Sequence, residues 1–264
     1  MTLEQHFGLS QPPFLRTATP ASLMRTPTHD QILDRLRFAL TRDIIAMLVA
    51  ESGCGKSTTL SLFAQTLDAA NYQVLATSLT TLSPFSFIAH LVATMGLPGR
   101  RFKGETAAAL VAHLRGQPKR TVVLIDEAHL LPDASLEDLR LLTADNLDRG
   151  SPFGLVLVGQ PILRERLAEP QHYALWQRIG VRLRLRPLNE GEVAAFLEQH
   201  LKAAGCKRKI FEVDAIGAIF HHSRGIPRLI QNLALDSMLA TMAAGKKVVD
   251  AEAVQQAIID MEGT

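Results

Sequence analysis

A loop near residue 50 carries the residue types that bind phosphate. Its members are mostly small and end in a lysine, a serine and a threonine: Ala50, Glu51, Ser52, Gly53, Cys54, Gly55, Lys56, Ser57 and Thr58. An apolar run over 44–49 precedes the loop and a helical pattern follows it, which is the order that a P-loop requires. Small residues let successive backbone N–H groups turn toward phosphate oxygens, and the helix start adds unpaired N–H groups. We therefore expect Lys56 to contact the outer phosphates of a nucleotide and the Ser57 hydroxyl to bind Mg²⁺.

The first position of this loop departs from the usual pattern, because Ala50 stands where a glycine is common. Gly53 and Gly55 lie in the tightest part of the loop, so we expect the alanine to be tolerated. The alternative is a buried strand followed by an ordinary glycine-rich turn. The strand, the Gly-Lys-Ser ending and the helix together favour a nucleotide site.

A second group of candidate residues follows an apolar run over 121–125, where Asp126 and Glu127 end a predicted buried strand. Adjacent side chains of an extended strand point in different directions, so the two acids can have different roles. We expect Asp126 to hold Mg²⁺ and Glu127 to polarise the water that attacks the γ-phosphate of ATP. The alternative is a strand that ends in acids by chance. His129 is expected to be a local capping or packing residue.

The elements that must position these residues alternate regularly between strands and helices. Apolar strands are predicted over 44–50, 73–77, 121–126, 154–159 and 181–186. Helical patterns precede and separate them over 29–40, 57–69, 84–95, 105–115, 135–148 and 161–168. This alternation predicts a parallel sheet covered by helices on both faces, with the ligand at the carboxyl ends of its strands.

The pattern changes after Pro187, where helical signals alone continue. Asn189 and Glu192 have the spacing of a capping box, and further helices are predicted over 212–222, 227–243 and 250–262. We expect three regions: an N-terminal arm and helix, an α/β nucleotide-binding domain and a small helical lid, over 1–43, 44–187 and 188–264. In the arm, Phe7 and Phe14 are predicted to be packing anchors. Whether the arm closes over an adenine or simply packs on the domain stays open.

The composition indicates the cellular compartment of the protein and limits the kinds of partner that it can bind. The 264 residues carry a formal charge of +2, so nucleic-acid binding would have to come from local basic clusters. Cys54 and Cys206 have no metal-ligand spacing, and the N-terminus has no signal-peptide pattern. No stretch approaches the about 18 apolar residues of a membrane span. We expect a soluble, cytoplasmic protein.

The order of these motifs resembles that of the AAA+ ATPases. The shared series continues beyond the two acids with Gln160, Arg178 and Arg228. More narrowly, the chain resembles the ExeA-type (general secretion pathway A) family and the related transposition ATPases of TnsC, TniB, IstB and MuB type. The segments that carry this resemblance are His6-Phe7-Gly8-Leu9, Val158-Gly159-Gln160-Pro161, Leu185-Arg186-Pro187-Leu188 and Gly225-Ile226-Pro227-Arg228.

This resemblance implies a fold and a set of roles. The fold is an AAA+ P-loop NTPase with a five-stranded parallel sheet between helices, followed by a small all-helical lid. Gln160 matches sensor 1, Arg178 the arginine finger that reaches a neighbouring subunit's nucleotide, and Arg228 sensor 2. Arg182 is the second choice for the finger, one helical turn onward if the helix continues. Each arginine alone can equally be a surface residue.

Four basic clusters are candidates for DNA contact: 100–103, 119–120, the alternate residues 182, 184 and 186, and 207–209. Each is commonly just a solvated surface. The resemblance to the transposition ATPases favours Arg101 and Lys103 as contacts to the phosphate backbone. Such contacts carry no base specificity.

The expected function is ATP-dependent regulation of DNA transposition. The chain would assemble on duplex DNA as a hexameric ring or helical filament, recruit a transposase and possibly an adaptor, and disassemble on hydrolysis. The first alternative is a secretion-pathway ATPase. Its usual membrane span and cell-wall-binding region do not follow before Thr264, which favours transposition. The second is a nucleotide switch with negligible turnover, which has no use for Glu127.

Overall fold

The computed structural model describes residues 2–14, 24–144 and 150–263. The strands are β1 (Ile45–Val49), β2 (Tyr72–Thr77), β3 (Arg120–Ile125), β4 (Gly154–Gly159) and β5 (Ile179–Arg184). The helices are α1 (Leu3–Phe7), α2 (Pro27–Thr41), α3 (Lys56–Thr66), α4 (Pro84–Thr94), α5 (Lys103–Gly116), α6 (Asp133–Leu142), α7 (Ile162–Ala168), α8 (Tyr173–Arg178), α9 (Glu190–Ala203), α10 (Val213–Ser223), α11 (Pro227–Ala243) and α12 (Ala251–Glu262). Short 3₁₀ turns cover Ala128–Leu130 and Pro170–His172.

The chain divides into two compact units. The α/β unit comprises Pro27–Ser52 and Lys56–Leu185, and the helical unit comprises Met1–Thr26, Gly53–Gly55 and Arg186–Thr264. Helix α2 therefore groups with the sheet and α1 with the C-terminal helices. The three-domain division expected from the sequence stays a prediction. Parts of two predicted segments, 15–23 of the arm and 145–148 of the helix after β3, lie outside the described residues.

The sheet of the α/β unit is parallel, with the strand order β2-β3-β4-β1-β5. The predicted fold class is confirmed. Strands β3, β4 and β1 are neighbours, so the residues that follow them meet at one edge of the sheet. Those residues are Asp126, Gln160 and the phosphate-binding loop. The topology thus brings together residues that are up to 110 positions apart in the chain, from Ala50 to Gln160 (160 − 50).

Burial explains which strands the sequence predicts best. Every residue of β1 and β4 is buried, and β3 is buried from its second residue onward, because helices cover both faces of a parallel sheet. Each fully buried aliphatic side chain contributes about 1.5–3 kcal/mol. The edge strand β5 alternates between buried and exposed residues. Its apolar signal is therefore weaker, and it begins at Ile179 rather than at the predicted residue 181.

The helical unit has its own apolar core. Phe7 and Phe14 are buried in it, as predicted, beside residues of α9, α10, α11 and α12. The arm begins with the short helix α1, where Thr2 and Gln5 form a capping box. The predicted caps at Asn189 and Asp250 are confirmed. Within the described ranges, no helix is both long and apolar enough to cross a membrane.

His200 lies inside this core, where its ring packs against Phe196 and Phe14 at centroid distances of 4.4 and 5.5 Å. Burial lowers the pKa of the His200 imidazole from 6.5 to about 4. Below pH 6.5 His200 is therefore protonated in the unfolded chain, whereas in the folded chain it binds a proton only when the pH nears 4. His200 consequently stabilises the fold above pH 6.5 and loses this contribution as the pH falls.

We expect the free energy of unfolding to fall by about 2 kcal/mol between pH 7 and pH 5 because of His200. Urea unfolding at the two pH values measures this loss. In His200→Leu the fall in the free energy of unfolding between pH 7 and pH 5 should be smaller by about 2 kcal/mol. The matched surface variant His221→Leu should show the same fall as the wild type. Equal pH dependence in the wild type and in His200→Leu would contradict the assignment.

Candidate nucleotide-binding site

The phosphate-binding loop turns tightly at two glycines. Gly53 and Gly55 have φ angles of +82° and +92°, a backbone region that favours glycine. Ala50 is not among the described residues with positive φ, and its N–H donates to the Gly159 carbonyl at 3.1 Å. The first position of the loop thus extends the sheet and does not require glycine. This accounts for the departure noted in the sequence.

Arg228 lies against the tip of the loop, within the helical unit. Its backbone N–H donates to the Gly53 carbonyl at 3.2 Å, at the start of α11. A Cβ atom at position 53 would lie 2.9 Å from the Arg228 Cβ, so glycine is also needed here for close approach. The structure therefore places Arg228 beside Gly53. Its sensor 2 role stays a prediction.

Lys56 is a buried cation held by neutral groups. Its Nζ donates to the carbonyls of Ala50 at 3.1 Å and Glu51 at 3.2 Å. Among the described residues, no carboxylate lies within ion-pair distance of this ammonium. A buried charge is stabilised most by a counter-charge, which these carbonyls do not supply. The environment of Lys56 therefore fits a phosphate ligand.

Ser57 and Asp126 connect the two sequence motifs. The Ser57 hydroxyl donates to the Asp126 carboxylate, Oγ to Oδ2, at 2.7 Å. The backbone N–H of Asp126 donates to the Thr77 carbonyl at 2.8 Å, which fixes the acid at the ends of β2 and β3. Hydroxyl and carboxylate oxygens are suitable ligands for Mg²⁺. These two residues therefore fit the predicted metal role.

Glu127 has a strained backbone. Its φ and ψ are +53° and +32°, a left-handed conformation that costs a residue other than glycine about 1–3 kcal/mol. Its N–H donates to Asp126 Oδ1 at 2.9 Å, while its own carboxylate lies 3.6 Å from His129 Nδ1. The two acids thus face different partners. Strain of this kind is concentrated at functional sites.

Gln160 follows β4, and its backbone N–H points to His129 Nδ1 at 3.4 Å. The His129 side chain is only 9% exposed, and its expected role in capping or packing stays a prediction. The sequence did not reveal its position between Glu127 and Gln160. The only signal was its place two residues after the glutamate, on the turn that leaves β3.

Arg166 fixes the turn that carries His129. Its guanidinium donates to the carbonyls of His129 at 2.5 Å and Leu131 at 3.0 Å, and also to the Asp133 carboxylate. The hydrogen bond from Arg166, with a contribution from His172, holds the pKa of Asp133 below its usual range. The turn is therefore anchored to α7 on one side and to the start of α6 on the other.

Arg178 caps the end of a helix. Its two guanidinium nitrogens donate to the carbonyls of Arg140 at 2.7 Å and Thr143 at 2.6 Å, at the end of α6. Arginine side chains commonly satisfy the last carbonyls of helices in this way. The arginine-finger role stays a prediction, and it requires this guanidinium to exchange its partners.

The second choice for the finger rested on a helix continuing through Arg182, and that premise is wrong. Helix α8 ends at Arg178, and Arg182 lies on β5. Its guanidinium stacks 3.7 Å from the ring centre of Trp176 and donates to the Trp176 carbonyl. The alternation of β5 separates the two arginines by an extended strand rather than by a helical turn.

The predicted DNA contacts lie apart from these motifs. Arg101 is exposed, and its guanidinium lies 5.5 Å from the Phe102 ring centre. Lys103 begins α5, and its ammonium is 2.7 Å from the Asp138 carboxylate. A DNA phosphate at Lys103 would therefore compete with Asp138.

Comparisons with known proteins identify relatives of this chain. A family model described as an AAA domain matches residues 40–167. General secretion pathway protein A of Aeromonas hydrophila is 34% identical over 249 residues, which cover 91% of this chain and 45% of that protein. The Mu-like prophage FluMu DNA transposition protein B of Haemophilus influenzae is 26% identical over 180 residues, which cover 66% of this chain and 60% of that protein.

A solved structure of Cdc6p from Pyrobaculum aerophilum shares the fold, with a TM-score of 0.71 and 20% identity. The match covers 92% of this chain and 69% of that chain. The chain spans about half the length of the curated relatives that it matches.

Proposed function

Because this chain is an ExeA-like AAA+ protein related to the Mu-type transposition proteins, we propose that it binds ATP with Mg²⁺ and hydrolyses it. The observation that carries the proposal is the 2.7 Å hydrogen bond between Ser57 and Asp126. It joins the phosphate-binding loop to the acid at the end of β3, beside a buried lysine whose partners in the described part of the chain are neutral carbonyls. Loop, cation and acid together match the needs of a nucleotide triphosphate.

Each residue then has a defined task. Residues 50–58 surround the phosphates with backbone N–H groups, and Lys56 exchanges its carbonyl partners for phosphate oxygens. Ser57 and Asp126 hold Mg²⁺, which when bound neutralises phosphate charge. Glu127 orients and polarises the attacking water. Gln160, at the end of β4, contacts the γ-phosphate or this water.

The two arginines extend the proposal to assembly. Arg228 senses the nucleotide from the start of α11, next to Gly53. Arg178 acts in a neighbouring subunit of a homo-oligomer, a ring or a filament, after leaving the carbonyls at the end of α6. An arginine that arrives with a neighbour makes hydrolysis depend on assembly.

For the biological role, we favour regulation of DNA transposition in the cytoplasm. Support comes from the similarity to DNA transposition protein B and from exposed Arg101 and Lys103. Assembly on duplex DNA would recruit a transposase, with or without an adaptor. The second candidate is a secretion-pathway ATPase, and the 34% identity to general secretion pathway protein A favours it.

Duplex DNA binding distinguishes the two candidates. We expect binding with ATP and not with ADP, in a filter assay at low salt. If Arg101 and Lys103 each contact a phosphate, affinity should fall about tenfold as salt rises from about 50 to about 200 mM. The variant Arg101→Ala with Lys103→Ala should bind weakly and lose most of this salt dependence.

The control pairs Arg35→Ala with Lys202→Ala, an exposed arginine and an exposed lysine outside the four basic clusters, and should bind like the wild type. Absence of ATP-dependent binding to duplex DNA would contradict the transposition role and favour the secretion candidate. Binding that survives in the Arg101 and Lys103 variant would contradict these contacts alone.

A further inference from the structure

We infer that His129 is a positioning residue that couples the placement of Glu127 to the end of β4. The inference rests on the proposed hydrolysis, in which Glu127 orients the attacking water. It concerns a residue that the sequence motifs assigned only to packing.

One nitrogen of the His129 ring faces two competing partners. Nδ1 lies 3.6 Å from Glu127 Oε2 and 3.4 Å from the backbone nitrogen of Gln160. A neutral imidazole nitrogen either carries a hydrogen and donates or has a lone pair and accepts. As a donor, Nδ1 pairs with the Glu127 carboxylate. As an acceptor, it pairs with the Gln160 N–H, so it serves one partner at a time.

Neighbouring residues hold the His129 ring between Glu127 and Gln160. Arg166 fixes the main chain of the turn through the His129 and Leu131 carbonyls. Gly159 leaves space for the ring, since a Cβ atom at position 159 would lie 3.2 Å from the His129 backbone nitrogen and 3.3 Å from its Nδ1. The His129 side chain is only 9% exposed, whereas that of Glu127 is 36% exposed. The histidine is therefore the fixed member of the pair and the glutamate the movable one.

The two hydrogen-bond arrangements place Glu127 differently. With hydrogen on Nδ1, the carboxylate is drawn toward His129, and the Gln160 N–H lacks this partner. With hydrogen on Nε2, the ring accepts from Gln160 and the carboxylate is free to meet water. Both forms are neutral, so the exchange needs no net proton uptake. If Gln160 moves on contact with the γ-phosphate, the hydrogen bond of His129 changes, and the position of the Glu127 carboxylate changes with it.

Both distances, from Nδ1 to Glu127 and to Gln160, exceed those of good hydrogen bonds, as is common before a catalytic site tightens on its substrate.

The test uses two variants of matched shape, His129→Asn and His129→Leu, in steady-state ATP hydrolysis. An asparagine amide places a polar atom near the position of Nδ1, and leucine has the same shape without it. We expect His129→Leu to lower kcat about tenfold with KM changed less than twofold. His129→Asn should restore most of kcat. His129→Gln, whose amide lies one bond further out, should resemble leucine.

Other outcomes separate this inference from its premise. A wild-type chain that binds ATP without turnover overturns the proposed hydrolysis, and the inference with it. Wild-type turnover that His129→Leu leaves unchanged overturns the inference alone. Equal losses of kcat in all three variants, with lowered thermal midpoints, also overturn it, because they show a packing role only.

Discussion

Replacing Glu127 with glutamine is expected to lower ATP turnover about 100-fold or more while ATP binding persists. The amide keeps the size of the side chain but no longer attracts a proton from the attacking water. Lys56, Ser57 and Asp126 remain in place, so the phosphates and Mg²⁺ keep their ligands. Phosphate release measures turnover, and light scattering after ATP addition follows the assembled state, which should last longer in the variant.

The matched control for this change is Glu165→Gln, on the exposed surface of α7, which should keep wild-type turnover. Unchanged turnover in Glu127→Gln would remove this residue from the mechanism. Loss of ATP binding would show instead that the carboxylate, or the left-handed backbone beneath it, supports the site structurally.

Replacing Lys56 with alanine is expected to raise the dissociation constant for ATP at least about 100-fold, which equals about 3 kcal/mol. The ammonium is the buried cation of the loop, and charge-assisted hydrogen bonds to phosphate are the strongest available to it. Alanine also leaves the carbonyls of Ala50 and Glu51 without their donor. Titration calorimetry with ATP and Mg²⁺ measures the loss.

Lys119→Ala serves as the control, because this lysine is exposed near the start of β3. Circular dichroism must show that both variants are folded. Wild-type affinity in a folded Lys56→Ala variant would refute the assignment of residues 50–58 as a phosphate-binding loop.

The sequence predicts most of the α/β fold because the central strands are buried on both faces. Continuous apolar runs therefore mark β1, β3 and β4, and the loop and the acids follow directly. The edge strand β5 lacks this signal, which is why its start was predicted two residues too late. Helix α1 is too short for periodicity, although its capping box was present in the sequence.

The site is less predictable where side chains meet across long sequence separations. Arg178 contacts carbonyls of α6, and Lys103 contacts Asp138, 35 residues away in the chain (138 − 103). His129 meets Gln160 because β3 and β4 are neighbours in the sheet. Spacing along the chain identifies the residue types of a site, whereas partners of this kind depend on tertiary packing.

Ala50 has a consequence for the unfolded chain. Where the native backbone suits an alanine, its methyl group removes conformations that a glycine would explore when unfolded. Relative to glycine, such an alanine stabilises the folded state by about 0.4–1 kcal/mol through entropy alone. The entry to the loop is therefore stiffened, while Gly53 and Gly55 keep the freedom that the tip requires. The unfolded chain thus has less conformational entropy at Ala50, where the sheet continues, and keeps it at Gly53 and Gly55, where we expect the phosphates to bind.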